Sequence, residues 1–388
     1  MGKRVSLADK VAFLCDPRSY PQRTPHVETV ETHFAWIFLT AEHAYKLKKP
    51  LRHAQMDYRS LDAREQGCRD ELRLNRRLAP TVYLSVVPLC LRDGALVLGR
   101  SDRVSGRDHV VDWLVRMRRL SARQMLDRAL AEGRIGKREI GRVVDVLMPF
   151  FERAQPTPFE PAAYAARCER RIANNHRAFR KHRARLPDSL VEQVRAAQRA
   201  FVADARDVLA GRGTCVVEGH GDLRAEHVHL GPTVSVIDCL EFDRDLRLLD
   251  PAEEIALLAL EITRLGYGKL ADELACQFFS ACRTPPHVAV FRFYQSHTAT
   301  TRAKLAMWHL DDPQFPDARP WLARARSLLT DALKYAQDAI GLLQTQRSFR
   351  APRRPALQQR NERRAAHHAR ERFAKERSNR KNRKPALI

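Results

Sequence analysis

Val216–Asp245, VVEGHGDLRAEHVHLGPTVSVIDCLEFDRD, sets a polar, acidic knot beside two apolar runs. His220-Gly221-Asp222 comes first, Asp238 closes the run Val234–Ile237, and Glu241 lies three residues on. Carboxylates placed by strands can hold a metal ion and orient a nucleophile, the needs of phosphoryl transfer. In that chemistry Asp222 accepts or orients the proton of an attacking hydroxyl. Asp238, at a strand end that opens into a cleft, chelates magnesium between phosphates. The plain alternative for Asp222 is a carboxylate that stabilises a glycine-flanked turn. Glu226, His227 and Glu241 stand close enough in sequence to complete the metal shell or support it. Imidazole is not the preferred ligand of magnesium, so His227 suits manganese, a phosphate, a hydrogen bond to Asp222 or a structural role. His220 reads as a backbone-bound support rather than a base, and His229 carries no sharper reading. Cys239 reads as a half-buried strand thiol, because nothing nearby pairs with it as a base.

A second charged set lies far upstream. Lys46 and Lys48 are two residues apart in AYKLK, so a strand puts both on one side. On an inner sheet face such a lysine neutralises nucleotide phosphates, whereas on an edge strand it is an ordinary solvated residue. Lys46 is preferred, because Ala44 and Tyr45 precede it in a compact strand. A long flexible stem needs an anchor, and Glu65 or Glu71 on the next helix can supply one.

The elements that position these groups follow from periodicity. Val27–Val30, Phe34–Leu39 and Ala44–Lys48 predict an antiparallel meander that ends at Pro50. Apolar spacing predicts a helix within Asp57–Leu78, broken near Gly67. Val82–Leu89, Ala95–Leu98 and Val110–Met117 return to strand character, the first two joined by the turn Arg92-Asp93-Gly94. Residues 1–20 read as a short amphipathic helix ending at Pro17. After Met117 the pattern is mostly helical, over Ser121–Glu132, Lys137–Arg153, Tyr164–Arg185, a segment starting at Pro187-Asp188, Pro251–Leu265, Lys269–Cys282, Val288–Leu310 and Arg319–Leu342. Val228–Leu230 and Val234–Ile237 form a short strand pair.

The chain's 388 residues, 44% hydrophobic and 30% charged, suffice for one large or two ordinary soluble domains. No run is long enough to span a bilayer and the start does not read as a signal peptide, so a cytoplasmic location without membrane insertion is expected. The 8 cysteines include no CxxC pair, which argues against structural zinc or a disulfide framework. Of the net charge of +23, much lies in Thr345–Ile388, with 15 Lys/Arg against 3 Asp/Glu. That stretch lacks apolar periodicity and reads as a disordered tail. Nucleic-acid or ribosome contact is expected through it, if anywhere.

ETHFAWIFLTAEHAYKLKKP, RDELRLNRRLAP, VDWLVRMRRL, GHGDLRAEHVHL, IDCLEFDRDLRLLDPAEEIA and FYQSHTATTRAKL, in that order, span about residues 27–310. Together they resemble the aminoglycoside phosphotransferase-like enzymes of the protein-kinase-like fold, and more narrowly the bacterial group loosely named aminoglycoside phosphotransferase family enzymes. The resemblance implies a bilobal α+β fold. A small antiparallel sheet lobe with one inserted helix would occupy residues 1–118, a larger, mostly helical catalytic lobe 119–344, and the basic tail 345–388. It further implies that Asp222 is the catalytic aspartate, that Lys46 holds the α/β-phosphates with Glu71 as its partner, and that Asp238 binds metal. Backbone groups of Arg116, Met117 and Arg118 would meet adenine, and Asp250 would support the site from the start of the Asp-Pro-Ala helix.

Two departures stand out. The usual metal-binding asparagine five positions after the catalytic aspartate is His227, and the turn Glu31-Thr32-His33 lacks the glycines of a protein-kinase phosphate loop. Relatives of the narrower group often carry a C-terminal P-loop domain, but this sequence contains no GxxxxGK[ST] segment. The expected activity is ATP-dependent transfer of a γ-phosphoryl group to a hydroxyl of a small molecule, with ATP and Mg2+, or Mn2+, as cofactors. The alternatives are a catalytically weak nucleotide sensor, motivated by His227, and a nucleic-acid- or ribosome-associated binding protein, motivated by the tail. The strongly basic Tyr164–Arg185 helix argues against an aminoglycoside acceptor.

Overall fold

A capping box starts the first helix, α1 (Leu7–Cys15), with Ser6 Oγ accepting from Asp9 N–H and the Asp9 carboxylate accepting from Ser6 N–H. The meander follows as β1 (Glu28–Glu31), β2 (Ala35–Leu39) and β3 (His43–Lys48). A small ribbon, β4 (Arg52–His53) and β5 (Met56–Asp57), leads into α2 (Leu61–Asn75). β6 (Tyr83–Arg92), β7 (Ala95–Leu98) and β8 (His109–Arg118) complete an antiparallel sheet of order β1-β2-β3-β8-β6-β7. β3 is therefore an interior strand, which removes the reading of Lys46 and Lys48 as solvated edge residues. The β6–β7 hairpin turns on Asp93 and Gly94, at φ +49° and +83°, matching the right-handed twist of the strands they join. This computed structural model describes residues 5–53, 56–99, 108–182, 185–311 and 317–350.

The sheet has two differently covered faces. On the outer one, Phe38, Tyr45, Leu47, Val87, Leu89 and Leu114 pack with Leu14 of α1. On the inner one, Ala44, Val86, Trp113, Val115 and Met117 pack with Cys68 of α2. Asp112 of β8 ties both helices to the sheet, accepting from Lys10 Nζ of α1 at 2.7 Å and from Arg64 Nε of α2 at 2.7 Å.

α2 runs unbroken through Gly67, against the expected break. The glycine is there for space, because a Cβ on it would lie 2.7 Å from Tyr58 Cε1.

The second lobe contains α3 (Leu126–Ala131), α4 (Lys137–Arg153), α5 (Pro161–Arg180), α6 (Asp188–Asp204) and α7 (Arg206–Gly213). The short pairs β9 (Val217–Glu218) with β12 (Leu248–Leu249), and β10 (Val228–Leu230) with β11 (Val234–Val236), carry the acidic knot. α8 (Pro251–Arg264), α9 (Gly268–Ala281), α10 (Val288–Trp308) and α11 (Arg319–Arg350) follow. Ala299, Ala303 and Ala306 of α10 meet Ala325, Leu328, Leu329 and Ala332 of α11 in one core, where small side chains allow close helix approach. The result is the expected bilobal α+β architecture. The chain divides into two compact units, Met1–Ile340 and Gly341–Ile388. Both lobes belong to the first, and of the second only the end of α11 is described. The expected tail lies, beyond Arg350, outside the described residues.

Candidate active site

β3 aims Lys46 and Lys48 from one face toward α2 and the second lobe. Lys46 Nζ lies 2.9 Å from Glu71 Oε1 and 2.7 Å from Asp238 Oδ1. Lys48, its side chain 2% exposed, reaches Glu71 Oε2 at 2.6 Å and Glu241 Oε1 at 2.5 Å. One buried carboxylate thus serves two lysines. Glu65, the alternative anchor, pairs with Arg69 near the surface instead. Burial opposes both ammonium charges, yet Asp238, Glu71 and Glu241 outweigh it and hold both lysines well above their usual range. Glu241 also accepts from the Tyr58 hydroxyl at 2.8 Å, so it supports the lysines rather than joining a metal shell.

Asp238 leaves β11 in the left-handed region, at φ +63°. That conformation costs a non-glycine residue roughly 1–2 kcal/mol, and the surrounding chain secures it. The N–H of Ile237 donates to His227 O, that of Asp238 to Tyr83 Oη, that of Cys239 to Asn75 Oδ1 and that of Leu240 to His220 O. Asn75 Nδ2 donates in turn to Glu71 O at 2.9 Å, which ties the end of α2 to this turn. The Asp238 side chain is 48% exposed, and its Oδ2 lies 3.7 Å from His227 Nε2. Burial would raise its pKa, but the Lys46 ammonium 2.7 Å away holds it well below the usual carboxylate range.

The His220-Gly221-Asp222 turn is gripped from beneath by Glu254 of α8, which accepts from the N–H groups of His220 and Gly221 at 2.7 and 2.6 Å. Burial pushes the Glu254 carboxyl up to about 7, against the pull of those two donors. His220 donates from Nε2 to Ile237 O and accepts the Asp222 N–H at Nδ1, which fixes one neutral tautomer. Burial depresses it to about 4, so it is a support and not a base. Asp222 Oδ2 accepts from Arg224 Nε at 2.9 Å, and its Oδ1 lies 3.5 Å from Arg302 Nη1. Burial raises its pKa, but the two guanidiniums lower it further and leave the net direction downward. His227 Nδ1 donates to Asp222 O at 2.8 Å, so its Nε2 is the acceptor, 3.0 Å from Arg224 Nη2. Glu226 pairs with Arg224 at 2.5 Å. Asp250 caps α8 and takes a two-pronged contact from Arg212, a supporting position. Cys239 is buried and its thiol is pushed up to about 12, which leaves no thiolate for nucleophilic chemistry.

No protein-family model matches the chain. Uncharacterized proteins of Mycobacterium tuberculosis and Mycobacterium bovis are 28% identical to it over 328 residues, 82% of this chain. The chain spans 62% of the length of these curated relatives. Among solved structures, it is similar to the GDP complex of aminoglycoside 2'-phosphotransferase-IIIa, with TM-score 0.52 and 13% identity, over 85% of this chain and 99% of that one. It is similar to a choline/ethanolamine kinase family protein of Mesorhizobium loti, with TM-score 0.50 and 15% identity, over 86% and 99% of the two chains. A choline kinase of Cryptosporidium parvum gives TM-score 0.51 and 9% identity, over 86% and 97%. The fold is protein-kinase-like.

Lys46 and Glu71 of the sheet lobe meet Asp238 of the second lobe, Asp238 lies 3.7 Å from His227, and His227 donates to the backbone oxygen of Asp222. Arg116 and Met117 pair with Tyr45 and Ala44 on one side and with Ser85 and Tyr83 on the other. The N–H of Arg118 donates to Val82 O and that of Arg119 to Glu42 O, both at 2.8 Å, so these two donors are committed within the sheet. Among the described residues no three His, Cys, Asp or Glu side chains form a metal cage. Asp238 Oδ2 lies 3.7 Å from His227 Nε2, whose lone pair is taken by Arg224, so a cation here would rest on the Asp238 carboxylate and would gain the imidazole only by displacing that guanidinium. A carboxylate so placed fits a cation that draws its other ligands from water and phosphate, as Mg2+ and Mn2+ do in nucleotide sites.

Sequence reasoning missed the contacts made by Lys48, Tyr58, Asn75, Tyr83, Arg224, Glu254 and Arg302. Two carried a local signal. Asn75 stands four residues after Glu71 on one helix face, and Arg224 stands two after Asp222. The others act only through contacts distant in sequence.

Proposed function

We propose that the protein transfers the γ-phosphoryl group of ATP to a hydroxyl of a small molecule, as a member of the aminoglycoside phosphotransferase-like family. The observation that supports this reading is the pairing of Lys46 from the sheet with Asp238 from the second lobe, His227 standing between Asp238 and Asp222. Lys46 is held by Glu71 and offers its charge to the α/β-phosphates. Ile37, Leu39, Ala44, Met117, Leu120 and Ile237 pack into one apolar cluster drawn from both lobes, a surface suited to a flat purine.

Asp238 would hold the divalent cation, joined by His227 where Arg224 turns away from its Nε2. When bound, that cation neutralises charge on the transferring phosphate. Asp222 orients the acceptor hydroxyl for in-line attack. Its low pKa makes it a weak base, which suits a loose transition state in which the proton leaves late. Arg224 bridges Asp222 and His227 and faces the charge that develops between them. Among the described residues no helix is long and apolar enough to cross a membrane.

The test is ADP release by the full chain against a broad pool of hydroxylated metabolites. Asp222→Asn and Asp238→Asn should each lower kcat by roughly 100-fold or more. An Asp222→Asn rate equal to the wild type overturns the reading.

A further inference from the structure

We infer that the site takes one divalent cation, seated on Asp238, and that the Arg224 guanidinium fills the place a second would occupy. The inference rests on the phosphotransfer reading and chooses between its two cation arrangements, Asp238 alone and Asp238 joined by His227.

Kinase sites that use two ions hold one on the aspartate at the strand end and the other on an asparagine of the catalytic loop. Asp238 and His227 stand at those positions here. The second position already holds a positive charge from the chain itself. Arg224 Nε donates to Asp222 Oδ2 at 2.9 Å, Nη2 donates to His227 Nε2 at 3.0 Å, and Nη1 lies 2.5 Å from Glu226 Oε1. All three guanidinium nitrogens are thus engaged, each by a different residue. Their partners, two carboxylates and an imidazole acceptor, are the groups a second ion would need.

The imidazole cannot serve both. Its Nδ1 donates to Asp222 O at 2.8 Å, so Nε2 carries the one in-plane lone pair of the ring, and Arg224 takes it.

The guanidinium is also well held. The Arg224 side chain is 16% exposed. Burial works against its charge, but Asp222 and Glu226 outweigh burial and keep the group above its usual range. A lysine in such a place could shed its proton, whereas arginine keeps its charge. Arg302 adds a second guanidinium, with Nη1 3.5 Å from Asp222 Oδ1. A divalent ion entering beside Asp222 would meet two fixed positive charges. Asp238 differs. Its Oδ1 takes Lys46 at 2.7 Å, but the side chain is 48% exposed, so Oδ2 can receive an ion that arrives with the nucleotide.

Arg224 is in this arrangement a positioning residue. It fixes Asp222 and His227 with a charge that is in place before the nucleotide arrives and needs no loading from solution.

The test counts Mn2+ on the full chain, isotopically labelled at nitrogen and saturated with the β,γ-methylene analogue of ATP, by electron paramagnetic resonance. The wild type should bind one ion per nucleotide, with no coupling to a protein imidazole nitrogen. Arg224→Ala releases Asp222, Glu226 and His227 together. It should bind a second ion roughly 10-fold or more tightly than the wild type does, with imidazole coupling. Arg224→Lys keeps a positive charge and should stay at one ion. A wild type that binds two ions, or that shows imidazole coupling, overturns the inference whatever the variants do. So does an Arg224→Ala protein that is folded by circular dichroism and still binds one ion, and so does a second ion held equally by Arg224→Lys and Arg224→Ala. A wild type that binds neither the nucleotide nor its Mn2+ is a different outcome. It overturns the phosphotransfer reading and the cation assignment with it.

Discussion

Lys48 and Glu241 meet across the two lobes, Nζ to Oε1 at 2.5 Å, although 193 residues separate them. Both side chains are enclosed, at 2% and 10% exposure, so neither charge has water to fall back on. Removing one partner takes the cross-lobe counter-charge from the other, leaving Lys48 with Glu71 alone or Glu241 with the Tyr58 hydroxyl alone. Glu241→Gln is expected to destabilise the protein by about 3 kcal/mol, and Lys48→Met by a similar amount. Urea denaturation measures both. The double variant should lose less than the sum of the two, because each single change already breaks the shared contact.

Gly67→Ala should destabilise the protein, although alanine is the better helix former by about 1 kcal/mol. The added methyl meets the Tyr58 ring and pushes its hydroxyl off Glu241, and overpacking of this kind costs about 1–3 kcal/mol. Thermal unfolding should show a lower Tm. In a Tyr58→Ala background the same substitution should raise Tm, and a further fall there would show that the ring is not the cause.

Glu254 makes stability depend on pH in a definite direction. Its carboxyl rises from 4.5 unfolded to about 7 folded, so the native state holds the proton more tightly. Its favourable contribution is complete below pH 4.5 and is lost as pH rises through about 7, an amplitude of roughly 3 kcal/mol. The stability difference between wild type and Glu254→Gln should fall by that amount between pH 4.5 and 8. A flat difference would mean that the carboxyl titrates normally.

His227 would reveal, through metal preference, whether Arg224 leaves it during turnover. If its Nε2 takes part in the cation site, the wild type should favour Mn2+ over Mg2+ more than His227→Asn does. The ratio of ADP-release rates with the two ions measures this, and an identical ratio in the variant removes His227 from the metal shell.

Much of the fold was legible because it is written in local periods. AYKLK alternates as a strand should, and the strands around it pair in the expected meander. The run closed by Asp238 and the turn that holds Asp222 were likewise visible, because each joins apolar alternation to a polar stop. What stayed hidden has no local period. Gly67 looks like a helix breaker until Tyr58 is seen against it. Glu254 looks like one of two acids at the start of α8 until its carboxylate is found under His220 and Gly221. Arg302 looks like an ordinary charge on a helix of mixed composition. α11 extends past the expected Leu342 to Arg350, because glutamine and arginine continue a helix as readily as they leave one.

Lys10 and Asp112 have a consequence for the order in which the protein is made. α1 leaves the ribosome before the sheet it covers, and its buried lysine has no counter-ion until β8 has been synthesised about a hundred residues later. Until then Leu14 has no finished sheet to cover, and once the strands pair, Phe38, Leu47 and Leu114 stay bare until the helix swings back. Maturation of the sheet lobe is therefore gated by the return of that helix. A nascent chain in which that helix is blocked should expose a sticky apolar face and call on chaperones.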